Sequence, residues 1–311
     1  MILIKDKKEI GNKKFVATIG FFDGVHLGHR FLIEKMIRIA RSRQLPAAVI
    51  TFATHPRQVL NKAYQPKLLN SFEEKLKHLE TTGIDYCILL DFTIELSRLS
   101  AGEFIRNILR TDFHIATLLI GYDHRFGHNR SDGFLQYQAY GNACEIEVLE
   151  ATAYDSGNTT VSSSEIRRLL SLCQVEEASQ LLTYPYQLKG HIVNGYKIGR
   201  TLGFPTANIA VDEPYKVLPA VGVYAVWVEI ENSLYKGMLY IGKCPTLENG
   251  EHMTLEVNIL NFAGDIYNKE ITVSFIYHIR EDIKFSSLDE LKQQLRTDRE
   301  TVDRLLTDNN R

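Results

Sequence analysis

Two histidines three residues apart, His26 and His29, follow Asp23-Gly24 in the run "TIGFFDGVHLGHRFLIEKM" at residues 18–36. The β-branched and aromatic residues ahead of Asp23 read as a strand. Behind the histidines Leu32, Ile33, Met36, Ile37 and Ala40 recur at helical spacing. The histidines therefore fall where a strand turns into a helix. A helix start offers unpaired N–H groups and a partial positive charge, which suit an anion. Gly24 and Gly28 would let a phosphate approach the backbone. Imidazoles at that point can donate hydrogen bonds to phosphate oxygens and follow developing charge. An isolated H-x-x-H would more often simply cap a helix. The aspartate and the two glycines in the same turn shift the balance toward phosphate binding. Zinc is a weaker reading, because no third ligand lies nearby.

The second half carries "KGHIVNGYKIGRTLGFPTANI", whose Gly190, Gly195, Gly199 and Gly203 permit a tight loop over phosphates. Thr206 and Asn208 are short oxygen donors two apart, so on an extended segment they point the same way. Such oxygens suit Mg²⁺ that shares substrate phosphates. Taken alone, the stretch reads equally as a glycine-rich turn with Pro205 ending a strand. In "MTLEVNIL", Leu255, Val257 and Ile259 share one strand face, and Thr254, Glu256 and Asn258 the other. Alternation alone would leave Glu256 a solvated carboxylate.

The elements that must position these groups come in two rhythms. From residue 15 to about 182, strand-like and helix-like segments alternate: "KFVATIGFF", "AAVITF", "DYCILLDF", "ATLLIG" and "EIEVLE" are the strands. Ser71 with Glu74, Ser100 with Glu103, and Ser162 with Glu165 are capping-box pairs that open helices, and Gly83 is a fitting stop. The strands are continuously apolar, as buried parallel strands are, and their alternation with helices implies a doubly wound α/β sheet. After "LLTYPYQLKG" the period becomes two. "GVYAVWVEI" and "LYKGMLYIG" suggest a hairpin across Glu231, Asn232 and Ser233. "TLEVNIL" and "EITVSFIYHI" are further strands. "SSLDELKQQLRTDRETVDRLL" is an amphipathic helix or helix pair. The economical architecture is an antiparallel β-barrel with a C-terminal helix, joined to the first half near Tyr184-Pro185.

Bulk properties set outer limits. A chain of 311 residues favours two domains. Hydrophobic content of 44%, charged content of 24% and a net charge of −2 are ordinary for a soluble protein. Nothing global points to nucleic acid or an anionic membrane. The start, "MILIKDKKEIGNKK", has charges where a secretion leader needs an apolar stretch. No window approaches the roughly 18 apolar residues of a membrane helix. Cys87, Cys144 and Cys173 fall in apolar stretches and read as core thiols of a reducing cytoplasm, whereas Cys244 lies in a loop-like stretch.

"GFFDGVHLGH" resembles the H-x-G-H motif of the nucleotidylyltransferase superfamily. More specifically, it is similar to the N-terminal domain of bacterial bifunctional riboflavin kinase/FAD synthetases. The likeness continues in that family's order through "TFATHPRQVL", "LLNSFEEKLKHLETTGIDYCILLDFT", "SAGEFI", "LIGYDHRFGHNRSDG" and "VSSSEIRRLL". The resemblance implies a Rossmann-like FMN adenylyltransferase domain over residues 1–183, with His26 and His29 catalytic. It implies nucleotide or phosphate contacts from Gly20, Phe22, Asp23, Gly24, Gly28 and Asp123, with Ser163, Ser164 and Arg167 holding ATP phosphates. For Asp123 a turn-stabilising Asx reads as well. "GRTLGFPTANI" resembles the P-T-A-N motif of riboflavin kinases, and the likeness runs on through "YIGKCPTL", "TLEVNILNFAGDIY" and "FIYHIREDIKF". This implies a riboflavin kinase barrel over residues 184–311, with Gly199 and Gly203 at the nucleotide. Thr206 and Asn208 would meet Mg²⁺–ATP, and Glu256 would be the catalytic base. Arg280, Glu281 and Phe285 would cover the flavin. Departures from the pattern are Ser164 for Thr, His124 for Phe, Thr160 for Arg, Leu247 for Phe and Asn268 for Gly. The implied partners are ATP, riboflavin, FMN and FAD, with no nucleic acid and no membrane. Rival readings are a single-activity adenylyltransferase with a non-catalytic barrel and a flavin-binding regulator. Class I aminoacyl-tRNA synthetases share a similar histidine motif but need a lysine-rich loop that this chain lacks.

Overall fold

The computed structural model describes residues 1–122, 124–128, 131–154, 157, 160–193, 203–245, 251–264 and 266–308. Asp123 and Gly199, and the departure at Leu247, lie outside the described residues. The chain folds as two compact units, Met1–Ser163 and Ser164–Arg311.

In the first unit the strands are β1 Ile2–Ile4, β2 Phe15–Ile19, β3 Ala47–Thr51, β4 Tyr86–Leu89, β5 Ile115–Ile120 and β6 Glu147–Glu150. They form one sheet in the order β1-β4-β3-β2-β5-β6, with every pairing parallel. All five residues of β2 and all five of β3 are buried, which explains their unbroken apolar character. The winding direction reverses between β2 and β5, and such a switch point opens a crevice beyond the strands' carboxyl ends. Three-residue β1 is absent from the pattern reading because charged residues follow it at once; its register comes from β4.

The helices are α1 Leu27–Ser42, α2 Pro56–Leu60, α3 Phe72–Glu80, α4 Ile94–Ser97, α5 Ala101–Glu103 and α6 Phe134–Ala143. Capping boxes open α3 at Ser71/Glu74 and α5 at Ser100/Glu103. Past α5 the chain winds on through Phe104–Asp112 as a π-helix. α1 buries Ile33, Met36 and Ala40 against one face of the sheet.

α7 Ser163–Ser171 begins at the boundary between the units, and it and α8 Val175–Leu182 precede the six strands of the second unit: β7 Gln187–Val193, β8 Ala207–Val211, β9 Gly222–Ile230, β10 Ser233–Pro245, β11 Glu251–Ile259 and β12 Glu270–Arg280. They close into an antiparallel barrel in the order β10-β11-β8-β7-β12-β9. Closure leaves no free sheet edge. The β9–β10 turn is tighter than expected. Ser233 already pairs with Ile230, so only Glu231 (φ 50) and Asn232 (φ 62) turn the chain, both left-handed as a two-residue hairpin of this kind requires. The C-terminal segment is one helix, α9 Leu288–Asp308, whose Val302 and Leu306 pack with Val223, Ala225 and Met238 outside the barrel.

The reading of three core thiols holds only for Cys87. Cys144 ends α6 and Cys173 sits left-handed between α7 and α8, and both are partly exposed; all three are free. Apolar neighbours in sequence are divided there between core and surface, because the chain is turning.

Candidate active sites

His26 is the N-cap of α1: its Nδ1 accepts the N–H of His29 at 3.4 Å. The two rings stack with centroids 3.7 Å apart and 17° between planes. Phe22 meets His29 edge-on at 5.2 Å. Since Nδ1 of His26 accepts, the proton of a neutral ring sits on Nε2. Nδ1 of His29 is enclosed with no partner among the described residues. An orphaned buried N–H is rare, so that proton also belongs on Nε2. Burial, then the nearby His26 and Lys75, hold His29 well below the ordinary histidine pKa. The pair thus offers Nε2–H donors at a helix start, the His29 ring neutral.

The loop ahead of α1 is strained. Phe22 (φ 55), Gly24 (φ 83) and Val25 (φ 38) are all left-handed, and a β-branched residue there is a true outlier. Asp23 is 5% exposed, and its carboxylate accepts the backbone N–H groups of Leu69 and Asn70. The Asp23 side chain is therefore committed to holding the segment ahead of α3. Its carbonyl accepts the hydroxyl of Ser163, the last residue of the first unit, at 2.9 Å. Ser164 and Arg167 follow three apart on α7. A Cβ on Gly28 would meet the His26 ring and the Val161 carbonyl at ordinary contact distances, so the protein itself does not demand glycine there.

Beside this loop lies a cavity of about 610 Å³ that pattern reading did not find. Phe21, Phe52, Phe92, Phe104 and Phe126 give it aromatic walls. His55, Arg57, His124, Arg125 and His128 add basic groups. Phe126 is fixed by stacking on Tyr137 at 4.2 Å, whose hydroxyl bonds both its N–H and its carbonyl. The wall residues come from separate segments, so no local spacing announces them.

In the barrel, register aligns the second group. Tyr240 on β10 pairs with Glu256 on β11, and Glu256 pairs with Asn208 on β8. The three side chains thus share one face across three adjacent strands. Thr206, just before β8, donates its hydroxyl to Glu256 Oε2 at 3.0 Å. Asn258 is not on a solvated face: it is 5% exposed and donates to the Pro205 carbonyl at 2.7 Å. Gly203 is left-handed (φ 83), as only glycine readily is. Tyr240 donates to Asp282 at 3.1 Å, which brings the 280–285 segment beside Glu256. Burial and the Asp282 and Glu256 carboxylates push its hydroxyl up to about 12. Arg280 is spent on Asp298 of α9 through bonds of 2.8–3.2 Å, with Phe285 5.8 Å from its guanidinium.

The FAD synthetase family model matches residues 8–165, and the riboflavin kinase model residues 182–306. The bifunctional riboflavin kinase/FMN adenylyltransferase of Listeria monocytogenes is 36% identical over 91% of this chain and 90% of its own length. The Escherichia coli K12 enzyme of the same description is 36% identical over 92% of this chain and 91% of its own. This chain belongs to the bifunctional riboflavin kinase/FMN adenylyltransferase family.

Members of this family carry both activities, and this chain has both domains: it phosphorylates riboflavin to FMN with ATP and adenylylates FMN to FAD. The Rossmann-like sheet and the closed barrel are the architecture that the two motif sets imply. A crystal structure described as a macrolide-efflux protein from Streptococcus pneumoniae superposes with a TM-score of 0.87 at 32% identity, covering 97% of this chain and 99% of that one. That description belongs to that protein; among the described residues here no helix is long and apolar enough to cross a membrane.

Proposed function

We propose that FMN adenylylation takes place at the start of α1 and riboflavin phosphorylation at the Asn208–Glu256 row. In the first, His26 and His29 present Nε2–H donors to the ATP phosphates. The Gly20–Gly24 loop, Gly28 and Ser163 take the remaining oxygens, and the resemblance of "VSSSEIRRLL" to the family motif supports a phosphate role for Ser164 and Arg167. Phe22 and Asp23 act by shaping that loop. The isoalloxazine ring lies in the aromatic cavity, whose basic groups attract the FMN phosphate. An FMN phosphate oxygen attacks the α-phosphorus of ATP. The bond from that phosphorus to the bridging oxygen breaks, and pyrophosphate leaves. A phosphate monoester has a second pKa of about 6, so its oxygen attacks already ionised and no base is required. A neutral His29 suits this role, since it stabilises charge as it develops without titrating near pH 7.

In the barrel, Glu256 accepts the proton of the riboflavin 5′-hydroxyl as its oxygen attacks the γ-phosphorus and ADP departs. The Thr206 bond occupies Oε2 and leaves Oε1 for the substrate. Thr206 and Asn208 are hard oxygen donors, too few to cage a metal alone, which fits Mg²⁺ shared with phosphates. When bound, Mg²⁺ neutralises phosphate charge. Glu281 and Phe285 lie with the flavin, while Arg280 holds their segment against α9. The functional join falls at 183/184: Thr183 ends α8 in a left-handed conformation (φ 71), and β7 begins at Gln187. The free thiols of Cys87, Cys144 and Cys173 support a cytoplasmic setting. Nucleic acid and membrane are not among its partners on this reading, which the near-neutral charge supports.

The observation that carries the adenylylation assignment is the stacked histidine pair at the start of α1. Changing His26 and His29 together to Ala should cut FAD formation about 10²–10³-fold, the usual cost of losing an aligned charge stabiliser, with FMN formation unchanged. Undiminished FAD formation would remove the pair from the reaction.

A further inference from the structure

Lys75, on α3, is 3% exposed, and no step above uses it. Its ammonium donates to the carbonyl of Phe52 at 2.7 Å and to that of Phe21 at 3.2 Å. It also stands 4.1 Å from the centroid of the Phe21 ring and 5.6 Å from that of Phe72. Phe21 belongs to the loop between β2 and α1, and Phe52 follows β3. Both rings line the aromatic cavity. One cation therefore ties together the two chain ends that shape the phosphate loop and the cavity wall. Thr51 adds a second donor to the Phe21 carbonyl at 3.2 Å. The charged and titratable groups facing the ammonium are the Asp23 carboxylate from the loop, the His29 ring from α1 and the Cys87 thiol from β4.

We infer that Lys75 is a positioning residue for FMN adenylylation, its ammonium fixing the spacing between the phosphate loop and the flavin cavity. The inference rests on placing adenylylation at the start of α1. The sheet pairs β2 with β3 as far as Ile19 and Ile50, and past those strand ends the Lys75 ammonium bridges the Phe21 and Phe52 segments, with the Thr51 hydroxyl beside it. Misplacement by about 1 Å can cost 10²-fold in rate even when the altered residue touches no reacting atom. A purely structural filler would more cheaply be apolar. Burial holds the Lys75 pKa down to about 8, with Asp23 and Cys87 opposing. An ammonium with a depressed pKa makes the fold less stable at neutral pH, because the unfolded chain keeps that proton to higher pH. A bridge kept charged at that cost is explained by what it holds in place.

The test is Lys75→Met in the full-length enzyme, with FMN adenylylation, riboflavin phosphorylation and a melting curve measured on one preparation. The expected result is a loss of about 10²-fold in adenylylation kcat/KM for FMN. The kinase rate should stay within about twofold, and the melting temperature should be unchanged or higher, as removal of a depressed lysine pKa implies. Adenylylation close to normal overturns the inference. So does a fall in melting temperature that takes both activities with it, which would mark a strut. Unmodified enzyme adds an independent arm. Its adenylylation kcat/KM should decline as the pH rises through about 8, where Lys75 loses its proton. Cys87, pushed up to about 11 by burial, is too high to account for a decline there. A profile that stays flat from pH 7 to beyond 10.5, the ordinary lysine value, overturns the inference as well. The His26→Ala/His29→Ala enzyme separates the two readings. If it keeps FAD formation, the site assignment fails. If it loses FAD formation while Lys75→Met keeps it, only the role of Lys75 fails.

Discussion

Glu256→Gln tests the kinase chemistry with little structural disturbance. Gln matches Glu in size and keeps an oxygen that can accept the Thr206 hydroxyl, now 3.0 Å from Glu256 Oε2. A hydrogen bond to a charged group contributes about 1.5–3 kcal/mol and a neutral one about 1, so the exchange costs stability about 1 kcal/mol. For a unit of this size that is about 3 °C in melting temperature. The rate should respond far more. General-base help is worth about 10²–10⁴-fold, or about 3–5 kcal/mol of barrier. The assay is riboflavin turnover at saturating Mg²⁺–ATP, with adenylylation of supplied FMN and a melting curve on the same sample. FMN formation should collapse, adenylylation should persist, and the melting point should barely move. If Glu256 instead held the metal, Gln would weaken Mg²⁺–ATP binding, and excess Mg²⁺ would restore the rate. Near-normal kinase turnover would refute the base assignment outright.

Asp298→Asn should destabilise the second unit by about 3 kcal/mol, since it leaves the half-buried Arg280 without its counter-charge, and denaturant unfolding reads this directly. Tyr240→Phe removes the bond to Asp282 and should raise KM for riboflavin several-fold without changing the melting temperature. His29, neutral in the fold, lets the unfolded chain bind the extra proton below about pH 6.5. Stability should therefore fall as pH drops through that value, by at most about 1.4 kcal/mol per pH unit, and His29→Gln should flatten that slope.

The parts of this enzyme written locally could be read from the chain. The histidines at the strand-to-helix turn, the capping boxes at Ser71 and Ser100, and the change of period after α8 each need only a few neighbouring residues. The parts assembled across the sheet could not. The aromatic cavity draws on segments more than 100 residues apart, from Phe21 to Phe126. Lys75 looks like any surface lysine of an amphipathic helix until α3 is packed under the Phe21 loop. The burial of Asp298 shows only once α9 lies against the barrel. Glu256 is intermediate: alternation assigned its face, but register alone set it beside Asn208 and Tyr240. The Asp23 carboxylate, which the resemblance assigns to the nucleotide, also accepts the backbone N–H groups of Leu69 and Asn70. Nothing local distinguishes those two tasks.

The central claim is that two independent sites act in series, one in each half of the chain. Mixing two full-length variants tests it most directly. His26→Ala/His29→Ala enzyme should convert riboflavin to FMN and stop; Glu256→Gln enzyme should ignore riboflavin but convert FMN to FAD. Together, with riboflavin, ATP and Mg²⁺, they should restore FAD as FMN passes through solution from one to the other, read by chromatographic separation of the flavins. A mixture that makes no FAD, although each variant performs its own step, would contradict a free FMN intermediate. A single variant that carries riboflavin through to FAD at the normal rate would contradict the assignment of its site.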